Sequence, residues 1–284
     1  MTTLSQKQTA MLLLCAVVAA SSGAAKVNEE AIREAMPDAA PARPKQPRKV
    51  LVFNLCKGFR HGCIPTAAKC LEIMGEKTGA FTTVQSEDMS VFNKEDLAEF
   101  DAILFNNTTR LEFADKPAAR EAIMDFVKGG KGIVGIHAAT DNFYDWPEMA
   151  DLMGGVFDGH PWGAGGTWAI RNDDPDHPLN RSFAGEGFKI KDELYQLKGA
   201  YSRDTLRVLL SIDLSDQATG ARKGKRADRD YGVSWIRPVG EGRLFYCSLG
   251  HNNEVFWNTP VLEHFLAGIQ YALGDLECDD SPSR

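Results

Sequence analysis

Short apolar runs alternate with stretches of helical spacing through the first half of this chain. Lys49–Leu55, Asp101–Asn106 and Gly132–Ile136 are apolar runs that close in polar or glycine-rich turns, and Phe81–Gln85 adds a shorter one. A continuous apolar run bounded by turn residues is the pattern of a strand buried on both faces. Between these runs, Ile64–Lys77 places Leu71 and Met74 on one helical face, and Lys116–Lys128 does the same with Ala119, Ile123 and Val127. Gly129-Gly130 then ends the second helix. The order β, α, β predicts an α/β fold: a doubly wound, mostly parallel sheet of the flavodoxin type.

The pattern changes after residue 160. Thr167–Arg171, Phe188–Leu197, Arg207–Asp213, Tyr231–Pro238 and Arg243–Ser248 follow one another with little helix between them, and Gly240-Glu241-Gly242 reads as a tight turn joining the last two. Pro260–Leu273 supplies a closing helix with Leu262, Phe265, Leu266 and Ile269 on its apolar face. The expected sheet is therefore mixed, with antiparallel additions in its second half.

The ends of the chain read differently. Residues 1–25 join a polar start containing Lys7 to the apolar run Ala10–Ala20 and a small-residue stretch, the pattern of a secretory signal peptide. The run is shorter than the roughly 20 residues that span a bilayer, so no transmembrane segment is expected. Leu14 stands before Cys15 where a lipoprotein signal carries a small residue, so the expectation is export to the periplasm or the exterior, without lipidation. Residues 26–47, with four prolines and no sustained apolar period, read as a linker. Residues 48–276 read as one α/β domain and 277–284 as a tail.

Charge and cysteine usage narrow the partners. A formal net charge of −7 argues against nucleic acid, and the single basic run Arg222-Lys223-Gly224-Lys225-Arg226 sits among Gly, Asp and Ser as a solvated loop. Five cysteines remain beyond the signal, at 56, 63, 70, 247 and 278, and an odd number cannot all pair within one chain. No CxxC pair is present, so buried structural thiols are expected rather than a zinc knuckle.

In an open α/β sheet, ligands bind beyond the carboxyl ends of the strands. The first strand leads through Gly58-Phe59-Arg60 to His61, and the run ending at Asn106 continues into Asn107. Gly132–Ile136 runs directly into His137, followed by Asp141, and Arg243–Ser248 leads to His251. His160 lies in a glycine-rich stretch before Trp162. Neutral imidazoles on one rim can hold a divalent metal such as zinc or move protons near neutral pH. Each one alone is also an ordinary hydrogen-bonding residue; His177 and His264 read as structural. Gly135-Ile136-His137-Ala138-Ala139 has the strand, small-residue turn and following helix of a nucleophile elbow, with histidine in place of serine or cysteine. A covalent acyl intermediate is therefore not the natural chemistry there, and the position suits a ligand or proton-transfer group. Glu193 can complete a metal shell or serve as a general base. Trp162, Trp168, Phe143, Tyr144 and Trp146 offer faces for sugar rings or bulk for the core.

Five ordered motifs resemble those of the ThuA-like, trehalose-utilisation family on the class I glutamine amidotransferase-like fold. They are Gly58–His61, Gly129–Ala139, Gly154–His160, Asp192–Tyr195 and Gly242–His251, and the resemblance runs from Lys49 to Leu273. It implies an amidotransferase fold without the catalytic cysteine, and carbohydrate chemistry on disaccharides through 3-keto derivatives. It carries His61, His137, His160, Glu193 and His251 over as site residues. The resulting expectation is metal-assisted isomerisation, elimination or hydrolysis of a small-molecule sugar. In it His61, His137 and His251 are metal ligands, and His137, His160 and Glu193 are catalytic. Arg60, Asn107, Asp141, Trp162 and Tyr195 are the expected substrate contacts. The alternative is a non-catalytic carbohydrate-binding or scaffold protein on the same fold.

Overall fold

The computed structural model describes residues 27–283, and the expected signal peptide falls outside the described residues. In chain order the first half contains α1 (Glu29–Ala35), β1 (Lys49–Phe53), α2 (Ile64–Thr78), β2 (Thr82–Ser86), α3 (Lys94–Leu97), β3 (Ala102–Asn106), α4 (Pro117–Lys128), β4 (Gly132–Ile136) and α5 (Pro147–Met153). The second half contains β5 (Val156–Phe157), β6 (Thr167–Asn172), β7 (Phe188–Lys191), β8 (Leu197–Lys198), β9 (Arg207–Ile212), α6 (Gln217–Gly220), β10 (Gly232–Val239), β11 (Gly242–Cys247) and α7 (Thr259–Ala272).

Nine strands form one sheet in the order β2-β1-β3-β4-β11-β10-β9-β6-β7. The pairs from β2 to β11 are parallel and those from β11 to β7 antiparallel. β5 and β8 form a separate two-stranded pair. Side-chain alternation along the central strands divides the core in two. Val50, Val52, Leu104, Val134 and Ile136 join the buried faces of α1, α2 and α7. Leu51, Phe53, Ile103, Phe105 and Ile133 join those of α4 and α5 on the other side. This two-sided cover explains why β1, β3 and β4 read as continuous apolar runs. At the β10–β11 hairpin, a Cβ on Gly242 would lie 2.1 Å from the Val127 carbonyl oxygen, so the turn closes over the end of α4 only with glycine there.

Three differences from the sequence expectation have physical causes. The run Phe188–Leu197 is not one strand: it divides into β7 and β8 because Asp192 leaves the sheet to accept backbone N–H groups beyond β11. Residues 27–47, expected to be a linker, are docked. Asn28 caps α1, and Ile32 and Met36 enter the core. Lys77 Nζ donates to the Met36 carbonyl at 2.8 Å, and the Gln270 amide brackets Ala42 with bonds of 3.0 and 2.7 Å. Residues beyond 276 are also held, through Tyr271 to Asp280 at 2.8 Å and Ser283 N to the Leu206 carbonyl at 3.0 Å. Cys56, Cys63, Cys70, Cys247 and Cys278 are all free thiols, three of them buried. Among the described residues no helix is long and apolar enough to cross a membrane.

His264 on α7 is a buried structural anchor. Its Nδ1–H donates to the Leu179 carbonyl at 2.8 Å, which leaves Nε2 to accept from the Ser234 hydroxyl at 2.8 Å. Burial pushes its pKa down to about 4, against a smaller opposing pull from the Leu179 carbonyl.

Two outcomes are expected. Ile32→Ala lowers the unfolding free energy by about 2–4 kcal/mol, measured by urea denaturation, because it opens a cavity under α1; an undocked segment would give no change. Because His264 has a folded pKa below its unfolded value, the unfolded chain binds the proton first as pH falls. Its contribution is therefore present above pH 6.5 and lost as pH falls toward 4, by up to about 3 kcal/mol. Denaturation midpoints from pH 7 to pH 4.5 should fall less steeply in His264→Asn than in wild type.

Candidate functional site

β1, β3, β4 and β11 run parallel, so their carboxyl ends share one rim. Three histidines arrive there. His61 follows β1 at the end of the Cys56–Arg60 loop, His137 is the first residue after β4, and His251 follows β11. Glu193 reaches the same point from the antiparallel half, two residues after β7. The ligand-capable atoms of His61, His137, Glu193 and His251 all lie within 4.8 Å of one another. Ring centroids of the three histidines are 5.0–5.2 Å apart, each pair edge to face.

His137 is held by its backbone as well as its ring. Its φ of +46° is the left-handed conformation of an elbow, costly for a residue with a Cβ. The Tyr246 hydroxyl donates to the His137 carbonyl at 2.6 Å, and Thr140 Oγ1 meets the same hydroxyl at 3.1 Å. Gly135 admits this packing: a Cβ there would fall 2.8 Å from Met153 Cε and 2.9 Å from the Tyr246 ring. The imidazole Nδ1 lies 2.7 Å from the Ser248 carbonyl oxygen. A carbonyl only accepts, so Nδ1 carries the proton and Nε2 presents a lone pair.

That lone pair faces Glu193 Oε1 at 3.8 Å, too far for a hydrogen bond. His251 repeats the arrangement, with Nδ1 3.2 Å from Asn252 Oδ1 and Nε2 3.8 Å from the same Glu193 oxygen. His137 Nε2 and His61 Nδ1 are buried without any hydrogen-bond partner. Burial, followed by the neighbouring His251 and His160, lowers the His61 pKa to about 4. Burial and then His61 hold His137 well below the usual histidine range, against the opposing Ser248 carbonyl. The His137 lone pair and the Glu193 oxygen thus face one another without a hydrogen bond, beside the unpartnered His61 Nδ1, and a proton or cation entering between them would relieve the repulsion. Ligands about 2.1 Å from an ion in a tetrahedral site lie about 3.4 Å apart, so a spread of 4.8 Å must contract by on the order of 1 Å for all four to meet one ion.

Asp192 secures the loop that carries His251. Its buried carboxylate accepts from the backbone N–H groups of Gly250 at 2.7 Å, His251 at 3.1 Å and Asn252 at 2.8 Å. Burial raises its pKa to about 7, although those N–H groups oppose the shift. Beside the group, His160 is half exposed, places Nδ1 3.3 Å from Glu193 Oε2 and stacks on Phe157. The two Glu193 oxygens therefore serve different neighbours: one faces His137 and His251, the other His160.

The expected substrate contacts separate. Tyr195 packs against His137 with centroids 4.4 Å apart, and Asp141 accepts from the Tyr144 hydroxyl and pairs with Arg110 at 3.2 Å. Asn107, in left-handed backbone at φ +52°, is fully buried with Oδ1 unpartnered. Arg60 is tied to Glu87 at 2.7 Å rather than to the histidines. Trp162 is corrected: it is fully buried, donates to the Thr219 carbonyl at 3.0 Å and packs on Tyr231, so it has no face for a sugar. His177 and His264 bond backbone carbonyls outside the group.

Sequence reasoning did not single out Phe59 and Arg110. Phe59 is 67% exposed and stands edge-on to His61 at 4.8 Å, while Arg110 covers the exposed Tyr144 ring at 4.4 Å. A phenylalanine inside the polar Gly58–His61 turn was the available signal.

The sequence model of one family, described as trehalose utilisation (ThuA), matches residues 49–272. A crystal structure of a protein described as ThuA-like from Bacteroides uniformis is similar, with a TM-score of 0.64 and 21% identity over 81% of this chain and 93% of that one. One described likewise from Parabacteroides merdae has a TM-score of 0.60 and 18% identity over 84% and 95%. Both share the α/β fold described above. No curated protein matches the sequence.

Asp192→Ala is expected to cost on the order of 3 kcal/mol by leaving several buried backbone donors without an acceptor. Asp192→Asn, which keeps a carbonyl oxygen, should cost less. Chemical denaturation of both variants measures the difference, and equal losses would show that the acceptor role is not what stabilises the loop.

Proposed function

The chain belongs to the ThuA, or trehalose-utilisation, family, and from that premise we propose that it is a carbohydrate-processing protein. In this reading a divalent metal, of the zinc type, is held by His61, His137 and His251. The substrate is a disaccharide or 3-keto-glycoside, and the reaction is isomerisation, elimination or hydrolysis. The observation that supports the metal is the convergence of ligand-capable atoms of His61, His137, Glu193 and His251 within 4.8 Å, with His137 Nε2 and His61 Nδ1 buried without a hydrogen-bond partner. Nitrogen donors favour zinc or another borderline ion over calcium or magnesium, which prefer oxygen. His137 further suits ligation because its second nitrogen donates to a backbone carbonyl, which fixes the tautomer and the ring's direction. Bound there, such an ion would polarise a sugar carbonyl or hydroxyl.

The chain's own residues supply the rest. Glu193 Oε2 and the half-exposed His160 form a proton-transfer pair open to solvent on one side. Phe59 and Tyr144 are two of only three large apolar side chains exposed among the described residues. Phe59 stands directly against His61, and the Tyr144 hydroxyl is fixed to Asp141 beside the rim. Aromatic faces beside polar groups suit the apolar face and hydroxyls of a sugar ring. Export, as read from the first 25 residues, would make this an extracytoplasmic sugar enzyme.

Protein purified without chelator is expected to carry about one zinc-like ion per chain by elemental analysis. His61→Ala, His137→Ala and His251→Ala should each lose most of it, and metal-free wild type would sink the ligand assignment. Turnover of a 3-keto-disaccharide should disappear with chelator and return with zinc. Glu193→Gln should lower kcat by about a hundredfold or more. Sugar binding by calorimetry without turnover in any metal state would instead identify the non-catalytic binding protein.

A further inference from the structure

The basic run Arg222–Arg226, which reads as a solvated loop in the sequence, lies over the segment that carries His160. Lys225 N–H donates to Gln196 Oε1 at 2.7 Å, and Lys225 Nζ reaches the Asp158 carbonyl at 2.8 Å and its carboxylate at 3.0 Å. Arg226 pairs with Asp228. Among the described residues, Arg222 and Lys223 have no carboxylate partner, although the chain as a whole carries a net charge of −7. The Arg222 guanidinium instead lies over the Trp168 indole, with Cζ 5.0 Å from the ring centroid.

Between Arg222 and His160 lies a cleft of about 400 Å³, walled by Pro161, the Gly163–Gly166 segment and Trp168. Gly163 and Gly165 face open space, so their backbone can be approached closely. The cleft is tied to the histidine group at two points. His160 forms one of its walls with its Nδ1 3.3 Å from Glu193 Oε2, and Asn252 Nδ2, beside His251, donates to the Ala164 carbonyl at 2.9 Å. No carboxylate lines it, and its one fixed charge is Arg222.

Resting on the carbohydrate reading above, we propose that this cleft is a subsite for a sugar ring bearing an anionic substituent, with Arg222 as the recognising cation. Held over an indole and without a carboxylate partner, the guanidinium has N–H groups free to match a carboxylate in a two-point hydrogen bond. The favoured substrate class is therefore a disaccharide in which one ring is a uronate. That ring occupies the cleft while the neighbouring ring lies at the histidine group.

Calorimetry with cellobiose and with its uronate counterpart, glucuronosyl-β-1,4-glucose, tests this on the full-length protein as purified. Wild type should bind the uronate about tenfold more tightly, and 0.5 M salt should shrink that ratio. Arg222→Ala should bring the ratio close to one, Arg222→Lys should restore part of it, and Arg222→Glu should invert it. Melting temperatures of the three variants identify any that fail to fold, and the remaining variants then decide. Equal affinity of wild type for both sugars, or a preference that survives in Arg222→Ala, overturns the subsite and leaves the carbohydrate reading standing. Binding of neither sugar overturns the subsite, and the carbohydrate reading is then decided by the 3-keto-disaccharide turnover.

Discussion

The hydrogen bond from His137 Nδ1–H to the Ser248 carbonyl joins the exits of two adjacent parallel strands, β4 and β11. It fixes the His137 tautomer and so aims the Nε2 lone pair at Glu193. The Tyr246 hydroxyl holds the His137 carbonyl and supports the left-handed backbone that brings the ring above the sheet. Tyr246 is fully buried and packs, tilted, against Trp235 with centroids 4.3 Å apart, so the elbow rests on a wall of aromatic core. Moving either strand exit relative to the other would lose the ring bond, the carbonyl bond and the lone pair's direction together.

The rest of the group is built around that fixed point from both halves of the sheet. The parallel half supplies His61, His137 and His251 on one rim, as its common strand direction requires. The antiparallel half supplies Glu193, which reaches the rim only because the chain breaks between β7 and β8. Asp192 makes that break stable by satisfying three consecutive backbone N–H groups beyond β11, so the adjacent Glu193 and His251 are held by the same contact. Two neighbouring carboxylates thus divide the work: one organises backbone, and the other faces the histidines.

This arrangement opposes part of the folding free energy. Two imidazoles are buried with unsatisfied nitrogens, His137 and Asn107 sit in left-handed backbone, and a buried carboxylate has its pKa raised to about 7. Such groups are tolerated where the surrounding core is over-determined, and they cluster where chemistry or binding takes place. The double-sided core and the docked segment carrying Ile32 and Met36 provide the compensating burial.

Apolar runs at Lys49, Asp101 and Gly132 marked the central strands in the sequence because strands covered on both faces leave no polar positions. His61, His137 and His251 stood out because each lies in the segment that follows a strand run, His137 immediately, and common strand direction places those segments on one rim. The elbow at His137 was legible from its small neighbours. Other features depended on distance. Nothing in the spacing of Trp162 separates a sugar platform from a core residue; its burial against Tyr231 does. The segment 27–47 has too few apolar residues to show a period, and its docking arises from contacts with Lys77, Gln270 and Asp275, remote in the chain. The split after Lys191 likewise answers to Gly250–Asn252. Local pattern records which residues prefer burial and strand or helix geometry. Which polar atoms meet, and which are left without partners, is decided only when segments far apart in sequence close on one another.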